Sequence, residues 1–217
     1  MSAIYSLITC SLKAQLAYSI ATDVSILRSF SPQQHFLAFG QTVKGNWHFS
    51  KKETAYAWVS YYTNGRFKNR ATAIANGLTT QPPFINYTVY SKLRYRQVSV
   101  GWKHYFKGAY NEETSWNLYG LAGFGLLLGK AENTYSQLID TIQYEAPIRP
   151  TAGTGNFKRL TFDIGIGTEI PLGSTIYFYT ELRSWLPESD YPSTYLINRS
   201  QLPQTLLLNG GIRVLLD

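Results

Sequence analysis

A single cysteine, Cys10, occurs in the 217 residues, so no internal disulfide can form. Charge is scarce as well. Asp, Glu, Lys and Arg make up 15% of the chain, where ordinary soluble domains carry roughly 25%. Beyond the first few positions no apolar run reaches ~18 residues, which excludes a bundle of membrane-spanning helices. No repeat period and no Gly-rich nucleotide-binding motif is present. What the chain has instead is 17 Tyr, 11 Phe, 5 Trp and 17 Gly. Its length suits one domain, and its formal net charge of +7 points to anionic partners such as nucleic acid, anionic lipid or an acidic surface.

Alternation with a period of two runs through most of the sequence and predicts strands. The last stretch, 205–217, sets Leu206, Leu208, Ile212, Val214 and Leu216 on one face. Thr205, Leu207, Asn209, Gly211, Arg213 and Leu215 take the other. Residues 16–29 set Tyr18, Ile20, Val24 and Ile26 against Ser19, Ala21, Asp23 and Ser25. Further strands are predicted at 35–50, 54–66, 92–106, 116–131, 157–172 and 175–186. The facing of 54–66 stays open, because both of its faces carry aromatics. Short turns fall at 51–53, 107–114 and 172–174. Longer polar stretches at about 67–90, 132–155 and 187–204 read as loops, having no helical period. A turn centred on Gly173 would set Asp163 opposite Arg183, and a register shift by two would set it opposite Glu181 or Trp185 instead.

Eight strands with tight turns at one end and long loops at the other describe an all-β fold. It is an eight-stranded antiparallel up-and-down transmembrane β-barrel of meander topology. An apolar final strand left as an edge would aggregate, and closing it against the first strand removes that edge. An even strand number puts both ends of the barrel on the turn side, the periplasmic one. The domain spans 15–217. Residues 1–14 read as the remnant of a signal peptide cleaved near Ala14. Leu7-Ile8-Thr9-Cys10 only partly fits a lipoprotein box, because Thr9 precedes the cysteine.

Asn209, Gly211, Val214 and Leu216 resemble the C-terminal signal by which outer-membrane barrels are recognised for assembly, with Asp217 where an aromatic usually ends it. The stretches 118–130 (LYGLAGFGLLLGK), 157–173 (FKRLTFDIGIGTEIPLG) and 208–216 extend the likeness. Over 16–217 the chain resembles the small outer-membrane proteins of the OmpA/OmpX-like class, and more closely the porin-family, PorT-like barrels of Gram-negative bacteria. The resemblance implies an outer-membrane location. It implies the assembly machinery as a partner, and outer-membrane lipid and lipopolysaccharide as surroundings. It carries no catalytic residue and no cofactor. Three function classes follow. The first is a non-enzymatic, monomeric structural or surface-interaction protein acting through its extracellular loops. The second is a narrow pore or hydrophobic-ligand channel. The third, an assembly part of a secretion machine, rests on the PorT-like resemblance alone.

The candidate residues divide by parity. Asp23, Lys44, Lys103, Asp163, Glu169, Glu181, Arg183 and Arg213 fall on inward positions. An eight-stranded barrel has room only for its own side chains, so a lumen-filling ion-pair network is expected rather than an ion path. A lipocalin-like barrel, suggested by Gly45-Asn46-Trp47, would turn its apolar face inward, the opposite of this pattern. A lipid-A-modifying hydrolase would need His35, His48 or His104 beside a serine such as Ser29 or Ser31, and no spacing demands one. Basic residues gather on the long-loop side: Arg66, Lys68, Arg70, Lys92, Arg94, Arg96, Lys130, Lys158, Arg159 and Arg199. Of these, Lys92, Arg94, Arg96 and Arg159 form a candidate rim for lipopolysaccharide phosphates. Nucleic acid is not expected, since no groove combining aromatic and basic residues is evident.

Overall fold

The computed structural model describes residues 17–31, 33–187, 193–197 and 204–216. The expected signal segment, Cys10 and Arg199 lie outside them. Nine strands occur among the described residues: β1 (Ala17–Ser29), β2 (Leu37–His48), β3 (Glu53–Ala75), β4 (Phe84–Lys107), β5 (Asn117–Tyr135), β6 (Tyr144–Glu145), β7 (Gly153–Pro171), β8 (Ile176–Pro187) and β9 (Thr205–Leu216). Eight of them close a ring in the order β1-β2-β3-β4-β5-β7-β8-β9, with every neighbouring pair antiparallel. The two-residue β6 lies against the end of β3. Closure is made by the last strand, with Ile20 opposite Val214, Asp23 opposite Gly211 and Ile26 opposite Leu208.

Strand parity decides what each side of this ring meets. Val24, Val43, Val59, Val100, Phe124, Ile166 and Leu208 all point outward and are exposed. Water against such a belt is unfavourable by about 25 cal/mol per Å², and hydrocarbon is the environment that suits it. The inward set is polar, charged or aromatic and is buried. Strand β3 turns Thr54, Tyr56, Trp58, Ser60 and Tyr62 inward. Both of its faces are aromatic for two different reasons. The stacked Tyr56 and Trp58 rings, 4.5 Å apart, fill the lumen, while Tyr61 lies outside under the Arg96 guanidinium.

Three expectations are corrected. Residues 67–90 are not a loop: β3 and β4 run on beyond the barrel as a paired hairpin out to Ile74 and Phe84. A bulge between Tyr62 and Gly65 starts the extension, with Asn64 at φ 64°. Its polarity hid it, because its outer face has left the apolar belt. Its inner face still buries Ala73, Tyr87 and Val89 against Tyr144. The stretch 132–155 likewise holds the end of β5, the short β6 and the start of β7. Finally, Pro171 faces Tyr177, so the β7–β8 turn is centred on Ser174 rather than Gly173. That shift sets Asp163 opposite Trp185 and gives Arg183 to Gly165.

Large inward rings fit a narrow barrel because glycines face them. Tyr62 lies opposite Gly40, Phe157 opposite Gly129, and Tyr119 opposite Gly167. In each pair a Cβ on the glycine would overlap the partner ring. At Gly129 the nearest neighbours are all atoms of the Phe157 ring, so the pair is a volume exchange between two strands. Overpacking of this kind costs about 1–3 kcal/mol. Gly129→Val and Phe157→Ala are each expected to destabilise the barrel to urea in detergent, and the double variant to lose less than the sum. Plain additivity in that cycle would show that ring and glycine are not coupled.

A filled lumen and a basic outer rim

Two carboxylates organise the interior. Glu169, on β7, accepts from Lys103 Nζ at 3.1 Å, from Arg213 Nη2 at 3.0 Å and from Tyr105 at 3.1 Å. Glu181, on β8, accepts from Lys44 Nζ at 2.6 Å, from Tyr119 at 2.8 Å and from the Arg183 guanidinium. All of these groups are buried. The cations also lie over rings: Lys103 over Tyr119 at 4.0 Å, Arg213 over Tyr177 at 4.0 Å and Arg183 over Trp58 at 4.2 Å. Each charge taken from water costs several kcal/mol unless partners repay it. Here Lys44, Lys103, Arg183 and Arg213 each have both a carboxylate and a ring.

The other two acids are held differently. Asp23 accepts from Tyr179 at 2.8 Å and from Asn209 Nδ2 at 3.2 Å, with Arg183 3.6 Å away. Asp163 accepts from Gln97 at 2.7 Å, from Thr161 at 3.1 Å and from Ser99. Among the described residues Asp163 makes no ion pair. The expected Asp163–Arg183 pair is therefore absent, and the later turn centre is the cause. Toward the long loops the filling becomes apolar, with Phe36, Tyr62, Leu93, Tyr95, Leu127, Phe157, Trp185 and Leu207 in one cluster. The Trp185 ring meets the edges of Tyr62 and Tyr95.

Two residues of the C-terminal pattern shape the interior of the barrel. Asn209 bonds Asp23, and a side chain on Gly211 would collide with the β1 backbone at Thr22 and Asp23. Val214 and Leu216 point outward and are exposed.

The histidines are distributed without forming a reaction centre. His48 is buried between Ser19 Oγ at 2.9 Å and Thr54 Oγ1 at 2.8 Å, and its ring stacks on Tyr110 at 4.3 Å. A Ser–His contact is present, with Asn46 donating to the serine oxygen at 3.0 Å. A hydroxyl stands where an orienting carboxylate would be, and Tyr110 covers the ring. His35 is exposed. Ser29 is spent on the Gln34 carbonyl, and Ser31 accepts from the Gln204 backbone. His104 pairs with Glu53 at 2.5 Å near the turn side. No group of three or more His, Cys, Asp or Glu able to hold a metal occurs among the described residues.

On the outer face β4 turns Lys92, Arg94 and Arg96 outward. Arg159 does not join them. It is inward and only 2% exposed, and its Nη1 donates to the Lys158 carbonyl at 2.8 Å. Strand parity accounts for this, since Arg159 shares the inward set with Thr161 and Asp163. Lys130 and Lys158, on β5 and β7, are the outward cations beside Arg94 and Arg96.

The pairing makes a quantitative expectation. Glu181→Leu leaves Lys44 and Arg183 buried without their main counterion, a loss of roughly 3–5 kcal/mol. Lys44→Met with Glu181→Leu together is expected to cost less than Glu181→Leu alone. Thermal or urea unfolding in detergent measures both, and a double variant less stable than the single one would contradict the pairing.

No protein-family model and no curated protein matches the chain. Solved structures do. Neisserial surface protein A (NspA) is 10% identical, with a TM-score of 0.54, 91% of this chain covered and 96% of the other. Ail, the attachment invasion locus protein of Yersinia pestis, solved with the heparin analogue sucrose octasulfate, is 11% identical with a TM-score of 0.51, covering 93% and 99%. The N-terminal β-barrel domain of Pseudomonas aeruginosa OprF is 8% identical with a TM-score of 0.50, covering 91% and 97%. These likenesses run over nearly the whole length of each neighbour, and with the closed antiparallel ring they show that the chain has the fold of the small eight-stranded outer-membrane β-barrels.

Proposed function

We propose that the protein is a monomeric, non-conducting outer-membrane barrel that displays an ordered extracellular surface and carries out no catalysis. The observation behind this reading is the filled lumen. Glu169, Glu181 and their cations occupy one stretch of it, and the apolar cluster around Trp185 and Tyr95 occupies the stretch toward the loops. A barrel filled this way serves as an anchor. What it anchors is the β3–β4 hairpin and the strand ends around it, which have a small core of their own. Tyr87 donates to the Ile148 carbonyl at 2.9 Å, Tyr144 to the Pro82 carbonyl at 3.0 Å, and Tyr135 to the Pro150 carbonyl. A hairpin packed in this manner offers a fixed surface rather than a flexible tether.

The partners that fit are those of the outer membrane. The apolar belt takes lipid acyl chains, and the basic outward face takes lipopolysaccharide. The β9 pattern Asn209, Gly211, Val214 and Leu216 offers the assembly machinery a terminal strand. The filled interior speaks against a narrow pore or hydrophobic-ligand channel, and the covered His48 against a hydrolase.

Protein made in a Gram-negative host is expected in the outer-membrane fraction, running faster on gels unboiled than boiled. In planar bilayers it is expected to give no sustained open steps of the size of a large porin. Recovery without detergent would contradict the membrane reading, and large stable conductance steps would contradict the anchor.

A further inference from the structure

On the long-loop side, directly past the apolar belt, three neighbouring strands bring four cations to one outward patch. Arg96 on β4, Leu128 on β5 and Lys158 on β7 stand in one cross-strand row. Arg94, Lys130 and Asn156 form the next. With Tyr61, Gly129 and Phe157 these residues line a pocket of about 430 Å³. Arg94 and Lys130 are direct cross-strand partners, an arrangement of like charges that destabilises a sheet. Among the described residues the group has one carboxylate partner, Glu132, and it stands 4.0 Å from Arg94 with both side chains well exposed. Arg96, Lys130 and Lys158 make no ion pair among the described residues. Glu132 offsets this repulsion only weakly, at 4.0 Å between exposed side chains, and a bound anion would offset it further.

Depth names the anion. One outward step along the same strands from Arg96, Leu128 and Lys158 come Val98, Leu126 and Leu160, all exposed members of the belt. Two residues of strand cover about 7 Å. The charged pocket therefore opens onto the edge of the hydrocarbon, at the level where a lipid carries its phosphate. Two guanidinium groups offer planar forks for phosphate oxygens, and two ammonium groups complete the charge balance. A free phosphate would need no apolar floor. A lipid phosphate with acyl chains against Val98, Leu126 and Leu160 uses both halves of the site.

We propose that the pocket of Arg94, Arg96, Lys130 and Lys158 binds the phosphate of an outer-leaflet glycolipid of the lipid A type, an assignment that rests on the outer-membrane reading above. Of the expected rim it keeps Arg94 and Arg96, puts Lys130 and Lys158 in place of Lys92 and the buried Arg159, and separates the pocket from the higher hairpin cations Arg66, Lys68 and Arg70.

The test uses full-length protein in detergent, with native mass spectrometry to read retained lipid. The probes are bisphosphorylated lipid A, the same lipid with its phosphates removed, and inorganic phosphate as competitor. Wild type is expected to retain the phosphorylated lipid and not the dephosphorylated one. Arg96→Gln with Lys158→Gln is expected to lower retention about tenfold or more, as loss of two charge-assisted contacts would. Arg66→Gln with Lys68→Gln removes the same charge from the hairpin and is expected to leave retention unchanged. Lys130→Gln with Lys158→Gln serves as a second pocket variant, and the faster unboiled gel band shows which variants have folded. Equal loss in pocket and hairpin variants would overturn the site in favour of general charge attraction. Unchanged retention in folded pocket variants, or equal retention of dephosphorylated lipid, would overturn it outright. Displacement by millimolar inorganic phosphate would overturn the lipid assignment. Fractionation of the wild type keeps the two claims apart. Outer-membrane protein that fails to retain the phosphorylated lipid overturns the pocket and leaves the membrane reading standing. Protein absent from that membrane overturns the reading.

Discussion

Backbone hydrogen bonding in hydrocarbon is the constraint from which the rest of this structure follows. An unpaired N–H or C=O in the bilayer costs several kcal/mol, so a spanning sheet has to close on itself. Closure here falls to β9, which completes the ring through twelve residue pairs with β1. Its inward residues must then suit two neighbours at once. Gly211 gives way to the backbone at Thr22 and Asp23, Asn209 reaches Asp23, and Arg213 reaches Glu169. One short strand thereby closes the sheet and ties the lumen together.

Eight strands set the second condition. A ring of this size holds side chains and little else, so volume and charge have to balance inside it. Volume is balanced by glycines facing rings, as at Gly129 and Phe157. Charge gathers around two glutamates. Lys44, Lys103, Arg159, Arg183 and Arg213 bring five positive charges, and Glu169, Glu181, Asp23 and Asp163 bring four negative ones. Asp163 stands apart, with neutral donors around it. An interior of this kind suits the anchor proposed above better than a passage.

Much of this was legible in the sequence, and the limits have physical causes. Period-two alternation at 157–172 and 205–216 fixes which side chains enter the lumen, because parity is insensitive to small boundary errors. It also separates Arg159 from Arg94 and Arg96, a distinction lost when basic residues are grouped by loop proximity alone. Partner choice was less accessible. A turn centre misplaced by one residue moves a cross-strand partner by two, enough to replace an Asp163–Arg183 pair with Asp163 facing Trp185. The β3–β4 extension escaped for another reason. Above the membrane a strand no longer needs an apolar outer face, so Arg66, Lys68, Arg70 and Thr72 carry no strand signature, and only Ala73, Tyr87 and Val89 record the buried side. The aromatics on both faces of β3 became interpretable once the lumen was seen to require rings as filler.

The central claim is that a single alternation separates lipid from a filled interior, and β9 is the place to measure it. Spin labels placed one at a time from Leu206 to Leu216, leaving out Gly211, in a background lacking Cys10 and reconstituted in lipid vesicles, report collisions with oxygen from the lipid and with a water-soluble nickel chelate. The account predicts oxygen accessibility at positions 206, 208, 212 and 214, with positions 207, 209, 213 and 215 shielded from both reagents. Nickel accessibility at the odd positions would reveal an open aqueous lumen, and loss of the alternation would contradict the barrel in the membrane.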